Sequence, residues 1–210
     1  MERNVEKAYK TIKQTPLYGN YYLPVGVNEE QRYMDYGFFW PRKEDLVELG
    51  LKNPNFKIQD LILEKICWKP EGLSFSMIQL VFRNGIKSPI FHVKDCDTED
   101  YLSSLVKPNE PIKWIKLKVD AVEEDVVKFV VKFQFLNVKS EGKEAEKAEI
   151  IGQVGHYNEG DDKFHSIPAK HKIVGVFGIT ASNKYPPPGE KVQYYDHIRG
   201  LGFITMDLSA

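Results

Sequence analysis

Asp196 stands beside Tyr194 and Tyr195, with Asn183 and Tyr185 a short way upstream in the same proline-rich stretch. A carboxylate accepts charge-assisted hydrogen bonds from sugar hydroxyls, an amide adds a donor and an acceptor, and an aromatic ring covers the apolar face of a pyranose. These five residues form the candidate ligand-binding set, and the chemistry they offer is recognition without bond making. A second set lies near the N-terminus, where Tyr18, Tyr21, Tyr22, Tyr33, Tyr36, Phe38, Phe39 and Trp40 are set among Gly19, Pro24, Gly26 and Gly37. Large aromatics anchor protein interfaces, so this stretch reads as an extended partner-binding arm. The alternative is that its rings pack back onto the same domain, because large exposed aromatic patches are uncommon.

Other constellations offer less. Ser166 and His165 are neighbours, but adjacent residues on a strand point to opposite faces and cannot act as nucleophile and base. There is no Gly-x-Ser-x-Gly, no phosphate loop, no Cys-x-x-Cys and no His-x-x-x-His pair. The acidic runs at residues 95–100 and 158–162 lack the spacing of a calcium loop and read as polar turns. No catalytic residue, metal site or cofactor is expected, and the chain is read as a non-enzyme. Cys67 and Cys96 read as two reduced thiols.

The chain has 210 residues and a formal net charge of -1, with lysines and acids interspersed. That composition argues against a nucleic-acid partner. The first residues are charged, and nowhere do enough apolar residues run together to cross a bilayer. A cytoplasmic protein is the expectation, associated with a larger assembly such as the cytoskeleton.

The elements that must position these groups are mostly strands. Val5, Ala8, Tyr9 and Ile12 suit a short helix ending before Pro16, and residues 41–51 suit a second. From residue 56 the texture is β. Residues 60–68 and 72–82 form a first pair, followed by the Asn84-Gly85 turn. In the second pair, Ile115, Leu117 and Val119 alternate with Trp114, Lys116 and Lys118, and Val127, Phe129, Val131, Phe133 and Phe135 share one face of the next strand. The charged insert at 139–149 reads as solvated. The third pair, 173–179 and 198–205, flanks the loop that carries Asp196 and three consecutive prolines. Three similar antiparallel sheets can bury their inner faces only against one another, which predicts an all-β, three-sided prism over 56–210 with an N-terminal extension over 1–55.

Gly72-x-x-Phe75-x-x-Ile78-Gln79-x-x-Phe82-x-Asn84-Gly85-x-x-Ser88-Pro89 resembles the first repeat of the jacalin-like lectin domain. Pro111-Ile112 through Val119 and Phe133 to Asn137 resemble its middle strands. Phe164 to Pro168, Lys172 to Gly178 and Leu201-Gly202-Phe203 resemble its closing segments. The resemblance covers about residues 60–207 and implies the β-prism I fold of three Greek-key sheets. It also implies a sugar bound through a Gly-x-x-x-Asp motif before the last strand. Here an ungapped count from Gly202 puts Arg199 at the aspartate and Tyr195 at the glycine, and a gapped count puts Asp196 and Val192 there. A β-branched valine is poorly suited to a position that needs close backbone approach. The first expectation is therefore a non-catalytic module binding protein partners in a larger intracellular assembly. The alternative is an intracellular lectin for a mannose-type or related glycan.

Overall fold

The computed structural model describes residues 2–19, 36–93, 96–107, 110–122, 127–180 and 198–209. Among the described residues, twelve strands form three four-stranded antiparallel sheets. In the first, β3 (Leu63–Glu71), β4 (Ser74–Phe82) and β5 (Phe91–His92) run side by side, and β6 (Leu102–Leu105) returns to pair with β3. In the second, β7 (Trp114–Val122), β8 (Val127–Leu136) and β9 (Ile150–Val154) are consecutive, and β10 (Asp161–Ser166) returns beside β7. Both orders are Greek keys. The expected strand pairs are thus present, and the all-β prism is the observed fold.

The third sheet has the order β1 (Lys13–Gln14), β12 (Ile198–Asp207), β11 (His171–Thr180), β2 (Tyr36–Trp40). Taken from β11 through β12 and on to β1 and β2, this is the same Greek key, with its first two strands from the end of the chain and its last two from the beginning. The pairing is tight. The Thr15 N–H donates to the Phe203 carbonyl at 3.0 Å and the Phe203 N–H donates back to Thr15 Oγ1 at 3.0 Å, while Tyr18 and Leu201 exchange two backbone hydrogen bonds at 2.9 Å.

Of the two readings of the aromatic stretch, this arrangement gives packing onto the same domain for Tyr18, Phe38, Phe39 and Trp40. Trp40 is 4% exposed and lies against Phe82 of the first sheet at 5.8 Å, and Phe38 stacks on Phe91 at 4.7 Å. Phe39 lies against Phe177 at 6.2 Å, and Tyr18 packs half-buried on the same core. The physical reason is sheet completion: β11 would otherwise show an unpaired edge, and the rings on β2 fill the seam between the first and third sheets. Residues 2–19 and 36–52 therefore share one core with the prism, with Val5 and Ala8 of α1 (Glu2–Tyr9) and Leu46 of α2 (Lys43–Lys52) buried in it. Tyr21, Tyr22 and Tyr33 lie outside the described residues, and of Tyr36 only the backbone is described.

Each sheet contributes rings to the centre. Phe75, Phe133, Phe135 and Phe203 are fully buried and meet edge to face at 5.0 to 6.0 Å. The uniform face expected for β8 is broken by a bulge. Lys118 pairs with Lys132 but Val119 pairs with Val130, so Val131 is the extra residue. Phe133 and Phe135 stay in the core, whereas Phe129 and Val131 turn outward beneath Tyr157.

A pH response follows from the seam of the third sheet. His171 Nδ1 lies 3.1 Å from Thr205 Oγ1. Burial first, and then the Lys13 ammonium, hold its imidazole below the ordinary range against the pull of Asp207. Burial does the same to His165. Both folded pKa values lie below the unfolded value of about 6.5, so the unfolded chain takes up protons first as pH falls. Stability should decline below that pH, and the decline should shrink in His171→Gln and His165→Gln. Thermal melts at successive pH values measure it; equal slopes in the wild type and both variants would contradict it.

Candidate functional site

The residues first singled out by type, Asn183, Tyr185, Tyr194, Tyr195 and Asp196, lie outside the described residues, as do Val192 and the side chain of Arg199. What the structure does show is a concave cavity of about 210 Å³ lined by Trp68, Pro70, Leu73, Ser74, His156 and Tyr157. It sits where the first hairpin meets the β9–β10 connection.

Its positions are built from both sheets. Gly72, at φ +54°, makes the tight turn between β3 and β4 and leaves Leu73 44% exposed at the rim. Trp68 is held on β3 by a 3.0 Å hydrogen bond from Nε1–H to Ser104 Oγ of β6. Its ring lies 5.1 Å from that of His156 at an interplanar angle of 56°. Ser74 Oγ donates to the Val130 carbonyl at 2.7 Å, tying the hairpin to the strand below.

Gly155 sets the opposite wall. Its φ is +90°, and a Cβ there would overlap the Val131 carbonyl and lie 2.9 Å from Lys132 Cα. The backbone can lie against the β8 bulge only because this residue is glycine. That approach delivers His156 and Tyr157 to the cavity. Tyr157 rests on Phe129 and Val131, and its hydroxyl donates to Glu159 Oε2 at 2.9 Å. The hydrogen bond to this carboxylate holds the phenol above its ordinary range, so it stays a protonated donor. The cavity thus pairs ring faces with Tyr157, whose hydroxyl is engaged by Glu159. Its volume lies below the roughly 300 Å³ at which drug-sized pockets begin.

Sequence reasoning passed over these residues because they come from segments far apart in the chain. Of residues 158–162, expected to be a polar turn, 158–160 connect β9 to β10 and present Glu159 to Tyr157, whereas Asp161 and Asp162 are already paired in β10. The signal available was Gly155, an isolated glycine at a strand end.

Elsewhere the groups are accounted for locally. Asp97 accepts from the Glu99 N–H at 2.9 Å, which with Lys69 holds its carboxyl below the usual range in an exposed turn. Ser88 is buried, accepting from the Leu80 N–H at 3.0 Å while its carbonyl accepts from Gln79 Nε2, so the Gly-x-x-Ser turn is structural. Cys67 and Cys96 are free thiols in a small cluster with Met77, Val81 and Ile90. Among the described residues no group of His, Cys, Asp or Glu could hold a metal ion, and no helix is long and apolar enough to cross a membrane.

No protein-family model and no curated protein matches the chain. Solved structures do show likeness. The chain is similar to artocarpin in complex with mannotriose at a TM-score of 0.42 and 16% identity, covering 68% of this chain and 82% of that one. It is similar to AcmJRL, a mannose binding jacalin related lectin from Ananas comosus, at 0.43 and 13%, covering 93% and 98%. It is also similar to the V. cholerae biofilm matrix protein Bap1 at 0.44 and 9%, covering 92% of this chain and 23% of that one. The fold itself stands on strand order and register: three Greek-key sheets around one core, the jacalin-like β-prism that the sequence resemblance implied.

Proposed function

We propose that this protein is a non-catalytic β-prism module that binds carbohydrate, with one sugar ring seated in the Trp68, His156 and Tyr157 cavity. The observation that carries this reading is the cavity itself: aromatic walls, a size suited to one ring, and Tyr157 on the wall with its hydroxyl paired to Glu159. A sugar ring offers an apolar face to the rings and hydroxyls to the pair. Screening against a glycan array, with mannose and mannotriose among the probes, tests it. Tyr157→Ala should reduce binding at least tenfold, the loss of about 1.4 kcal/mol or more that a buried ring contact and a charge-assisted hydrogen bond supply. Unchanged binding in Tyr157→Ala would reject this site.

Protein partners in a larger assembly are a second reading, and one observation favours it. Leu105 and Ile150 are exposed, Leu105 at 79%, at the end of β6 that approaches β9. Such a patch suits a protein contact. The Leu105→Asp variant should then lose any partner that co-purifies with the native protein, and retention of that partner would remove this reading.

A further inference from the structure

Lysines that are scattered in sequence are gathered on the outer face of the second sheet. Lys116 and Lys118 of β7 point the same way, about 7 Å apart along the strand. Across the sheet, Lys118 pairs directly with Lys132 on one side and Asp162 on the other, while Lys116 pairs with Gln134 and Phe164. Asp162 serves both β7 lysines, at 2.8 Å from Lys116 and 2.9 Å from Lys118. Their side chains are only 18% and 20% exposed, so the ammonium groups are held rather than waving in solvent. Lys116 also lies over the Phe164 ring at 5.5 Å. Lys139 lies over Phe164 and Trp114 at 5.5 and 5.6 Å.

Like charges directly opposite on neighbouring strands destabilise a sheet. Burial first, then repulsion from Lys118 and Lys116, lowers the proton affinity of Lys132 although Asp162 opposes this. A bound anion would favour the third ammonium that these neighbours disfavour. The arrangement also has a direction. Lys132 Nζ donates to Asn158 Oδ1 at 2.8 Å, and Asn158 follows Tyr157 of the cavity, so the lysine row begins at the rim of the proposed sugar site.

We infer that the row Lys132, Lys118, Lys116 binds the sulfate or carboxylate groups of an acidic polysaccharide whose adjoining sugar ring occupies the cavity. This rests on the carbohydrate reading above and narrows it to anionic glycans. Acidic groups borne along a chain of rings match a row of fixed ammoniums leading away from a one-ring cavity.

Dextran sulfate and unmodified dextran of equal length are suitable probes, titrated at low and high salt. The wild type should bind dextran sulfate at least tenfold more tightly than dextran, and raising the salt should narrow the difference by screening the attraction between polyanion and lysine row. The Lys116→Gln, Lys118→Gln double variant should lose that preference while keeping its binding of the neutral sugar found on the array. Asp162→Asn should strengthen dextran sulfate binding, a gain that misfolding cannot imitate. Equal binding of the two dextrans, a double variant that keeps the preference, or polyglutamate bound as tightly as dextran sulfate would each overturn the inference. Loss of neutral-sugar binding in Tyr157→Ala is read separately, so failure of the lysine row and failure of the cavity give different results.

Discussion

Deleting residues 1–40 should leave a chain with no cooperative unfolding transition. The deletion removes β1 and β2, the two strands that complete the third sheet, and α1, which buries Val5 and Ala8. It also removes Trp40, and truncating a buried tryptophan alone costs about 3–5 kcal/mol. Domains of this kind have a total stability of about 5–15 kcal/mol, so the combined loss exceeds what the remaining packing can offset. Both β11 and β12 would then present unpaired edges, and aggregation is the expected consequence. Circular dichroism melts and the dispersion of amide resonances measure this. A truncated chain that melts cooperatively would show that the N-terminal segment is an appendage after all.

Gly175→Ala should be the most damaging conservative substitution in the third sheet. A Cβ at Gly175 would fall on the Trp40 carbonyl oxygen and within 2.5 Å of Pro41 Cδ, and both are backbone-fixed positions with no side chain to swing aside. Either β11 and β2 separate or the Trp40–Pro41 segment shifts off the core. Overpacking of this severity costs on the order of 3 kcal/mol, a fall in Tm of about 6–12 °C for a chain of this length. Adding a methyl group where there is open space, as in Gly37→Ala, should by comparison do little. The two variants share a sheet, so equal melting temperatures would refute the close approach of β2 to β11.

The three strand pairs were legible because alternation in β7, the apolar density of β4 and the Asn84-Gly85 turn are local signals. The short strands were not. Lys13–Gln14 is two residues long, and Tyr36–Trp40 lies in a stretch rich in glycine and aromatics whose period is hidden. Their pairing depends on strands more than a hundred residues away. Phe38 and Trp40 looked like interface anchors for the same reason that they serve as core: a large ring is useful in either place. The β8 bulge was also hidden, because an unbroken Val/Phe alternation carries no sign that Val131 is the extra residue. That bulge decides the candidate site, since it turns Phe129 outward and leaves a hollow that only Gly155 can approach. The lysine row was visible as alternation but not as a cluster, because cross-strand register brings Lys132 opposite Lys118 and the Greek-key return of β10 brings Asp162 beside both.

The central claim is that sugar binds between the first hairpin and the β9–β10 connection. A titration of the intact protein with a sugar selected on the array, followed by ¹⁵N-resolved NMR, tests it most directly. The indole N–H of Trp68 is fixed by Ser104 at the cavity wall, while Trp40 is buried in the seam between the first and third sheets. The Trp68 indole and the amides of Leu73, His156 and Tyr157 should shift together with one affinity, and the Trp40 indole should stay in place. Shifts confined to Thr180 and Ile198, with Trp68 unmoved, would contradict binding at this cavity.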